Sequence, residues 1–172
     1  IRYKSFIDKE LRDARMIMGC FNGNHKDSAL IAGGAIRDLI LGRKCKDIDI
    51  LVNFLHSESF TAIEHIAQRL GYTITNSGSE YINEDSDEAL VCVYKLSKVG
   101  KIDIDVIFLS GTPMSRSLDF PCDLSQCFYS EALGVHMSNE ASMAIALQEI
   151  TYNGDTISDA YFERMKTYFP DW

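Results

Sequence analysis

Ala32-Gly33-Gly34-Ala35-Ile36-Arg37-Asp38-Leu39-Ile40-Leu41-Gly42, then Arg43-Lys44-Cys45-Lys46, then Asp47-Ile48-Asp49 is the stretch that decides the fold. Ser28 to Ala32 is a short apolar strand, and Gly33-Gly34 turns it into a helix over Ala35–Leu41 that stops at Gly42. Two glycines after a strand let the backbone come close to a ligand. The helix that follows aims N–H groups at an anion such as a triphosphate. Asp47 to Val52 reads as a second strand. A strand alternates its faces, so Asp47 and Asp49 project from one side, roughly 7 Å apart along the chain. Two carboxylates so placed suit two divalent ions about 3.5–4 Å apart, and carboxylate oxygens are the ligands Mg²⁺ prefers.

Outward from this centre, Phe6, Ile7, Leu11, Ala14, Ile17 and Met18 share a face of a helix over residues 5–20. A second amphipathic helix, residues 58–70, rests on Phe60, Ile63, Ile66, Ala67 and Leu70, and a strand at Tyr72–Thr75 follows. Asn76 to Glu88 is polar and acidic and reads as a solvated loop. Ala89–Leu96 and Lys101–Leu109 form a β-hairpin across Ser97–Gly100. The C-terminal third is read as mostly helical, with helices at Asp123–Tyr129, Asn139–Gln148 and Ser158–Tyr168. This order predicts an α+β fold, a small mixed sheet flanked by helices, with residues 1–172 as one domain.

A third carboxylate completes a two-metal site, and Lys101-Ile102-Asp103-Ile104-Asp105-Val106 supplies candidates. Asp103 and Asp105 lie on one face of an otherwise apolar strand, where a carboxylate is costly unless it is paired or metal-bound. Arg43, Lys44 and Lys46 form a basic cluster that either attracts a triphosphate or is a solvated loop.

With 172 residues, 46% apolar and 24% charged, the composition is that of a globular protein with a sizeable core. No apolar run reaches the ~20 residues of a membrane span, and no signal peptide is visible. Cys20, Cys45, Cys92, Cys122 and Cys127 are odd in number and irregular in spacing, which disfavours disulfides or zinc and fits a reducing cytoplasm. A net charge of −8 lowers the odds of a strong nucleic-acid-binding surface, and so of a processive polymerase.

The segment Gly33 to Asp49 resembles the head-domain signature of bacterial poly(A) polymerases and CCA-adding enzymes, within the DNA polymerase β-type nucleotidyltransferase superfamily: Gly-Gly, a helix with Arg-Asp, a Leu-Gly end, then Asp-x-Asp. The resemblance covers residues 28–52 well and 101–109 loosely. It implies a nucleotidyltransferase that moves an NMP from an NTP to a hydroxyl acceptor, such as an RNA 3′ end, a protein or a small molecule. Two Mg²⁺ ions would assist, with Mn²⁺ as an alternative. It implies Asp47 and Asp49 as catalytic metal ligands, with Asp105 as the third and Asp103 in reserve, and Gly33 and Gly34 against the triphosphate. Arg37, with Asp38, would orient the helix or reach the phosphates, and Lys46 joins Arg37 among the nucleotide-binding residues.

Two family motifs are missing: an Arg-Arg-Asp that helps select the ribose, and a Glu-Asp-x-x-Arg that reads the base. Asp119-Phe120-Pro121-Cys122-Asp123 stands about where the first belongs and matches it poorly. The size and the ending Tyr168-Phe169-Pro170-Asp171-Trp172 are similar to those of small stand-alone nucleotidyltransferases of bacteriophages. Lincosamide- and aminoglycoside-type nucleotidyltransferases share the Gly-Gly and Asp-x-Asp plan, but they usually lack the Arg-Asp pair. An inactive module that keeps the fold is the remaining alternative.

Overall fold

The Asp47–Asp49 strand lies at the middle of a seven-stranded mixed sheet. The computed structural model describes residues 11–23, 27–54, 61–78, 90–153 and 157–172. The starts of the helices expected at residues 5–20 and 58–70, most of the acidic loop and residues 154–156 lie outside the described residues.

The strands are β1 (Ala29–Ala32), β2 (Asp47–Asn53), β3 (Thr73–Gly78), β4 (Leu90–Ser97), β5 (Asp103–Leu109), β6 (Cys127–Ser130) and β7 (Gly134–Met137). Their order across the sheet is β3-β4-β5-β2-β1-β6-β7. The helices are α1 (Arg12–Asn22), α2 (Gly34–Ile40), α3 (Thr61–Leu70), α4 (Pro113–Leu118), α5 (Asn139–Leu147) and α6 (Asp159–Tyr168). The expected α+β architecture is present, and the strands expected at the glycine turn, at Asp47 and at Asp103 are neighbours.

Side-chain alternation divides the work of the two central strands. Ile48, Ile50 and Val52 of β2 and Ile104, Val106 and Phe108 of β5 face the main core. That core is closed by α1, whose Ala14, Ile17, Met18 and Phe21 share one helical face, and by Ile63 and Ile66 of α3. The opposite face is split along its length. Leu51 and Leu109 pack with Leu30, Ala32 and Phe128 under Met114 and Leu118 of α4. The Asp-bearing ends of β2 and β5 extend past that cover.

The C-terminal third departs from the expected helices. Asp123–Ser125 is one 3₁₀ turn, and Cys127–Ser130 is the strand β6, fully buried between β1 and β7. So short a run, Cys127-Phe128-Tyr129-Ser130, has no period that separates strand from helix, and the open edge of β1 decides it. Three elements were absent from the sequence reading: β7, α4 with Pro113 in its first turn, and the extension of β3 through Asn76–Gly78. α5 and α6 form where expected, each opened by a serine, Ser138 and Ser158, whose hydroxyl accepts a backbone N–H.

Candidate active site

The parallel pairing of β2 with β5 sets Asp47 beside Asp103 and Asp49 beside Asp105. Strands that each begin Asp-Ile-Asp present the same alternation, so in-register pairing places like on like. Adjacent strands lie roughly 4.8 Å apart, which leaves Asp49 and Asp105 as direct neighbours. On the other side of Asp49 stands Ala32, immediately before Gly33-Gly34. The register alone therefore brings the glycine turn and the acidic pairs together.

Both members of the Asp49–Asp105 pair are held against their charge. Burial, then the nearby Asp47 and Asp105, push the Asp49 carboxyl up to about 7, with Lys95 and Arg164 opposing. Burial also raises Asp105, countered by Lys95, whose Nζ lies 3.2 Å from Asp105 Oδ1. That oxygen is buried, and the ammonium, though close, does not meet hydrogen-bond geometry, so the contact is an ion pair.

The glycines do unequal work. Gly33 sits at φ 66 and ψ −129, a conformation reserved largely for glycine, and a Cβ there would stand 3.1 Å from the Phe120 ring. Its N–H donates to the Cys127 carbonyl at 2.9 Å. Gly33 therefore offers closeness of approach, and its own amide is already used. A Cβ on Gly34 would meet the Arg37 guanidinium at 3.4 Å, an ordinary contact.

Arg37 is buried, and its position is anchored from several sides. Its Nε donates to Asp38 Oδ1 at 2.8 Å, its Nη1 reaches Ser125 Oγ at 3.4 Å and Met165 Sδ at 3.6 Å, and the guanidinium lies over the Phe169 ring at 5.2 Å. Burial works to lower its pKa, but Asp38, with smaller help from Cys127 and Tyr161, makes the net shift upward. Arg43 donates to the Tyr168 carbonyl at 2.7 Å and stacks on Phe169 at 4.4 Å. Both arginines thus fasten α6 and the chain after it to the glycine-turn helix. Replacing Arg37 by Met is expected to lower unfolding free energy by ~3 kcal/mol or more, because it strands Asp38 and frees α6. Urea unfolding measures this, and stability within ~0.5 kcal/mol of the parent would remove the anchoring role.

The docked α6 closes a cleft of about 410 Å³ whose walls include Gly33, Gly34, Asp47, Asp49, Lys44, Lys46, Phe120, Tyr161 and Arg164. Phe120, Tyr161 and Arg164 were not singled out by sequence. Phe120 belongs to the segment that matched its family motif poorly, and Arg164 carries only the signal of a basic residue on an amphipathic helix. Cys45 is buried just before β2, its Sγ 2.8 Å from the Asp47 carbonyl. Burial, then Asp38, Asp47 and Asp49, push its thiol up to about 12, so it stays protonated and unreactive near neutrality.

The expected ligand set Asp47, Asp49, Asp105 and Asp103 is brought to one end of one sheet face. As the side chains stand, no group of three or more metal-ligating residues is drawn together among the described residues. One Asp105 oxygen instead has the Lys95 ammonium 3.2 Å away. The donor chemistry nonetheless fits a hard divalent cation: the oxygens are carboxylate, one is buried without a hydrogen bond, and Asp49 is raised by burial and then by its acidic neighbours.

The mixed sheet carries Gly-Gly and the Asp47–Asp49 strand at one cleft, with the Asp103–Asp105 strand paired alongside. Residues 29–99 match the family model of the Poly A polymerase head domain. Among solved structures, the chain is similar to the Thermotoga maritima CCA-adding enzyme complexed with tRNA_CCA, with TM-score 0.58 and 18% identity over 84% of this chain and 32% of that one. It is similar also to the Bacillus stearothermophilus CCA-adding enzyme in complex with CTP, with TM-score 0.56 and 16% identity over 90% of this chain and 36% of that one. A further CCA-adding enzyme with CTP aligns at TM-score 0.60 and 16% identity, over 86% of this chain and 35% of that one. The chain therefore spans about a third of the length of these structures. No curated protein matches it by sequence. No helix among the described residues is long and apolar enough to cross a membrane.

Proposed function

We propose that this chain is a nucleotidyltransferase that joins the α-phosphate of an NTP to an acceptor hydroxyl and releases pyrophosphate. The observation that carries this reading is the row Ala32–Asp49–Asp105 beside the Gly33 turn, from which Gly33, Asp47 and Asp49 line a cleft of about 410 Å³. Asp47, Asp49 and Asp105 would hold the divalent ions, Mg²⁺ or Mn²⁺, which supply charge neutralisation and a more acidic attacking hydroxyl when bound. Gly33 and Gly34 leave room for the triphosphate, and Lys44, Lys46 and Arg164 face its negative charge across the cleft. Phe120 and Tyr161 are aromatic surfaces within reach of a base or ribose. The acceptor oxygen attacks the α-phosphorus as the bond to the leaving pyrophosphate breaks.

An RNA 3′ end is the favoured acceptor. The fold's relatives include a CCA-adding enzyme complexed with tRNA. The ground beyond the cleft is basic as well: Arg43, Lys44, Lys46 and Lys101 line an adjoining open groove, and Arg12 and Lys98 flank Lys101 beyond it. A cationic drug acceptor of the aminoglycoside type suits the net charge of −8, but it would meet this basic rim at the entrance. The rim is short, and Arg37 and Arg43 are committed to holding α6. Repeated gripping of a growing strand needs many phosphate contacts. The 172-residue chain is therefore expected to add one or a few nucleotides, with loose base choice.

The test is a short RNA primer with Mg²⁺ and each labelled NTP singly, run beside kanamycin and lincomycin as acceptors. One- or few-nucleotide extension supports the reading. Long tails or ordered C-C-A addition overturn the limit on length, and label in the drugs overturns the choice of acceptor.

A further inference from the structure

Lys95 stands in the same row of the sheet as the site carboxylates. β4 pairs antiparallel with β5 so that Lys95 lies opposite Asp105, which itself lies opposite Asp49. Along β4, Cys92, Tyr94 and Leu96 turn to the main core, which leaves Lys95 on the carboxylate face. Its ammonium is 3.2 Å from Asp105 Oδ1, and the two side chains are 31% and 18% exposed. Because that buried oxygen receives no well-directed hydrogen bond, the ammonium serves it as a neighbouring charge.

We propose that Lys95 is a positioning residue, a resident counter-cation that holds Asp105 toward β4 while no divalent ion is bound and releases it when an ion enters. This rests on the reading of Asp47, Asp49 and Asp105 as metal ligands. Without a cation the row would set Asp49 beside Asp105, with Asp47 and Asp103 next along. One lysine at the edge offsets part of that repulsion and keeps the apo sheet paired. A lysine suits the task because its charge sits on a flexible four-carbon stem that can swing away. A divalent ion held by several carboxylates carries twice the charge and outcompetes it, and the displaced ammonium remains near the incoming phosphates. The third ligand is thereby withheld until the ion arrives.

The test measures Mn²⁺ binding without NTP, by calorimetry or electron paramagnetic resonance, alongside thermal unfolding in EDTA. Lys95→Met keeps the length of the stem and removes the charge. It is expected to melt lower than the parent in EDTA at pH 8, yet to bind Mn²⁺ more tightly, on the order of tenfold even with solvent-like screening. Lys95→Arg keeps the charge and is expected to bind Mn²⁺ within about threefold of the parent. A purely structural lysine would lower stability and leave Mn²⁺ affinity unchanged or weaker, and that result overturns the proposal. Should Lys95→Met not fold, Lys95→Gln is measured against the same criterion. Asp49→Asn is the control: if it leaves Mn²⁺ binding intact, the ligand assignment itself fails. Loss of binding in Asp49→Asn with no gain in Lys95→Met overturns only the role of Lys95.

Discussion

Asp47→Asn and Asp49→Asn are each expected to reduce nucleotide transfer on the order of a thousandfold or more while the fold is kept. Both residues are half-buried at the cleft and outside the apolar core, so what the change removes is the charge of a proposed ligand and not core packing. The two variants separate on stability. Asp49 has its folded pKa raised to about 7 against an ordinary 3.8. Between those values Asp49 binds more protons in the folded protein than in the unfolded chain, so its contribution to metal-free stability is full below about 4 and is lost as pH rises to about 7. Asn at position 49 cannot ionise and escapes the decline. In EDTA, Asp49→Asn should melt higher than the parent at pH 8, and the difference should shrink toward pH 4. Added Mg²⁺ should raise the parent's melting temperature at pH 8 and leave that of the variant almost unmoved. Turnover of labelled NTP and thermal scans at pH 5 and pH 8 check these outcomes. Near-parental turnover in either variant at saturating Mg²⁺ would refute the mechanism.

Gly33→Ala is expected to cost ~2 kcal/mol of stability and most of the activity. The backbone at φ 66, ψ −129 strains any residue with a Cβ, and the new methyl would press on the Phe120 ring at 3.1 Å. Relief requires either the glycine turn or Phe120 to shift. The turn is tied to Cys127 through the Gly33 N–H, and Phe120 lines the cleft. Either movement alters the place where the triphosphate would lie. Gly34→Ala is the matched control, since Gly34 opens α2 at negative φ and its Cβ would make an ordinary 3.4 Å contact with Arg37. Its stability should stay within ~0.5 kcal/mol of the parent. Urea unfolding and NTP turnover on the two variants decide the matter, and equal behaviour of the pair would show that the conformation of Gly33 is not what matters.

The parts of this molecule that were legible in sequence are those written in local order. A Gly-Gly after four apolar residues, a short helix ended by glycine, and Asp-Ile-Asp opening two strands each carry their own period or turn chemistry. From them follow the α+β class, the neighbouring strands and the four acidic candidates. The chemical role proposed for those aspartates came from resemblance, and the variants above are its test.

What locality cannot encode was decided by packing between distant segments. Asp123–Tyr129 reads as a helix, and only the open edge of β1 makes Cys127–Ser130 a strand. Asp103 and Asp105 are alike in sequence, and the register with β2 makes Asp105 the neighbour of Asp49. Arg37 and Arg43 resembled phosphate ligands until α6 folded back on them from more than a hundred residues away, bringing Arg164 and Tyr161 to the cleft as it did so. Lys95 carried no signal, because its meaning lies in the Asp105 across the strand boundary. The sequence by itself determined the glycine turn, the strands beside it and the acids they carry, since period and backbone conformation are properties of a few consecutive residues. The tertiary structure alone decided which acids meet and which cations guard them, since cross-strand register is set by the fit of whole apolar faces against one another.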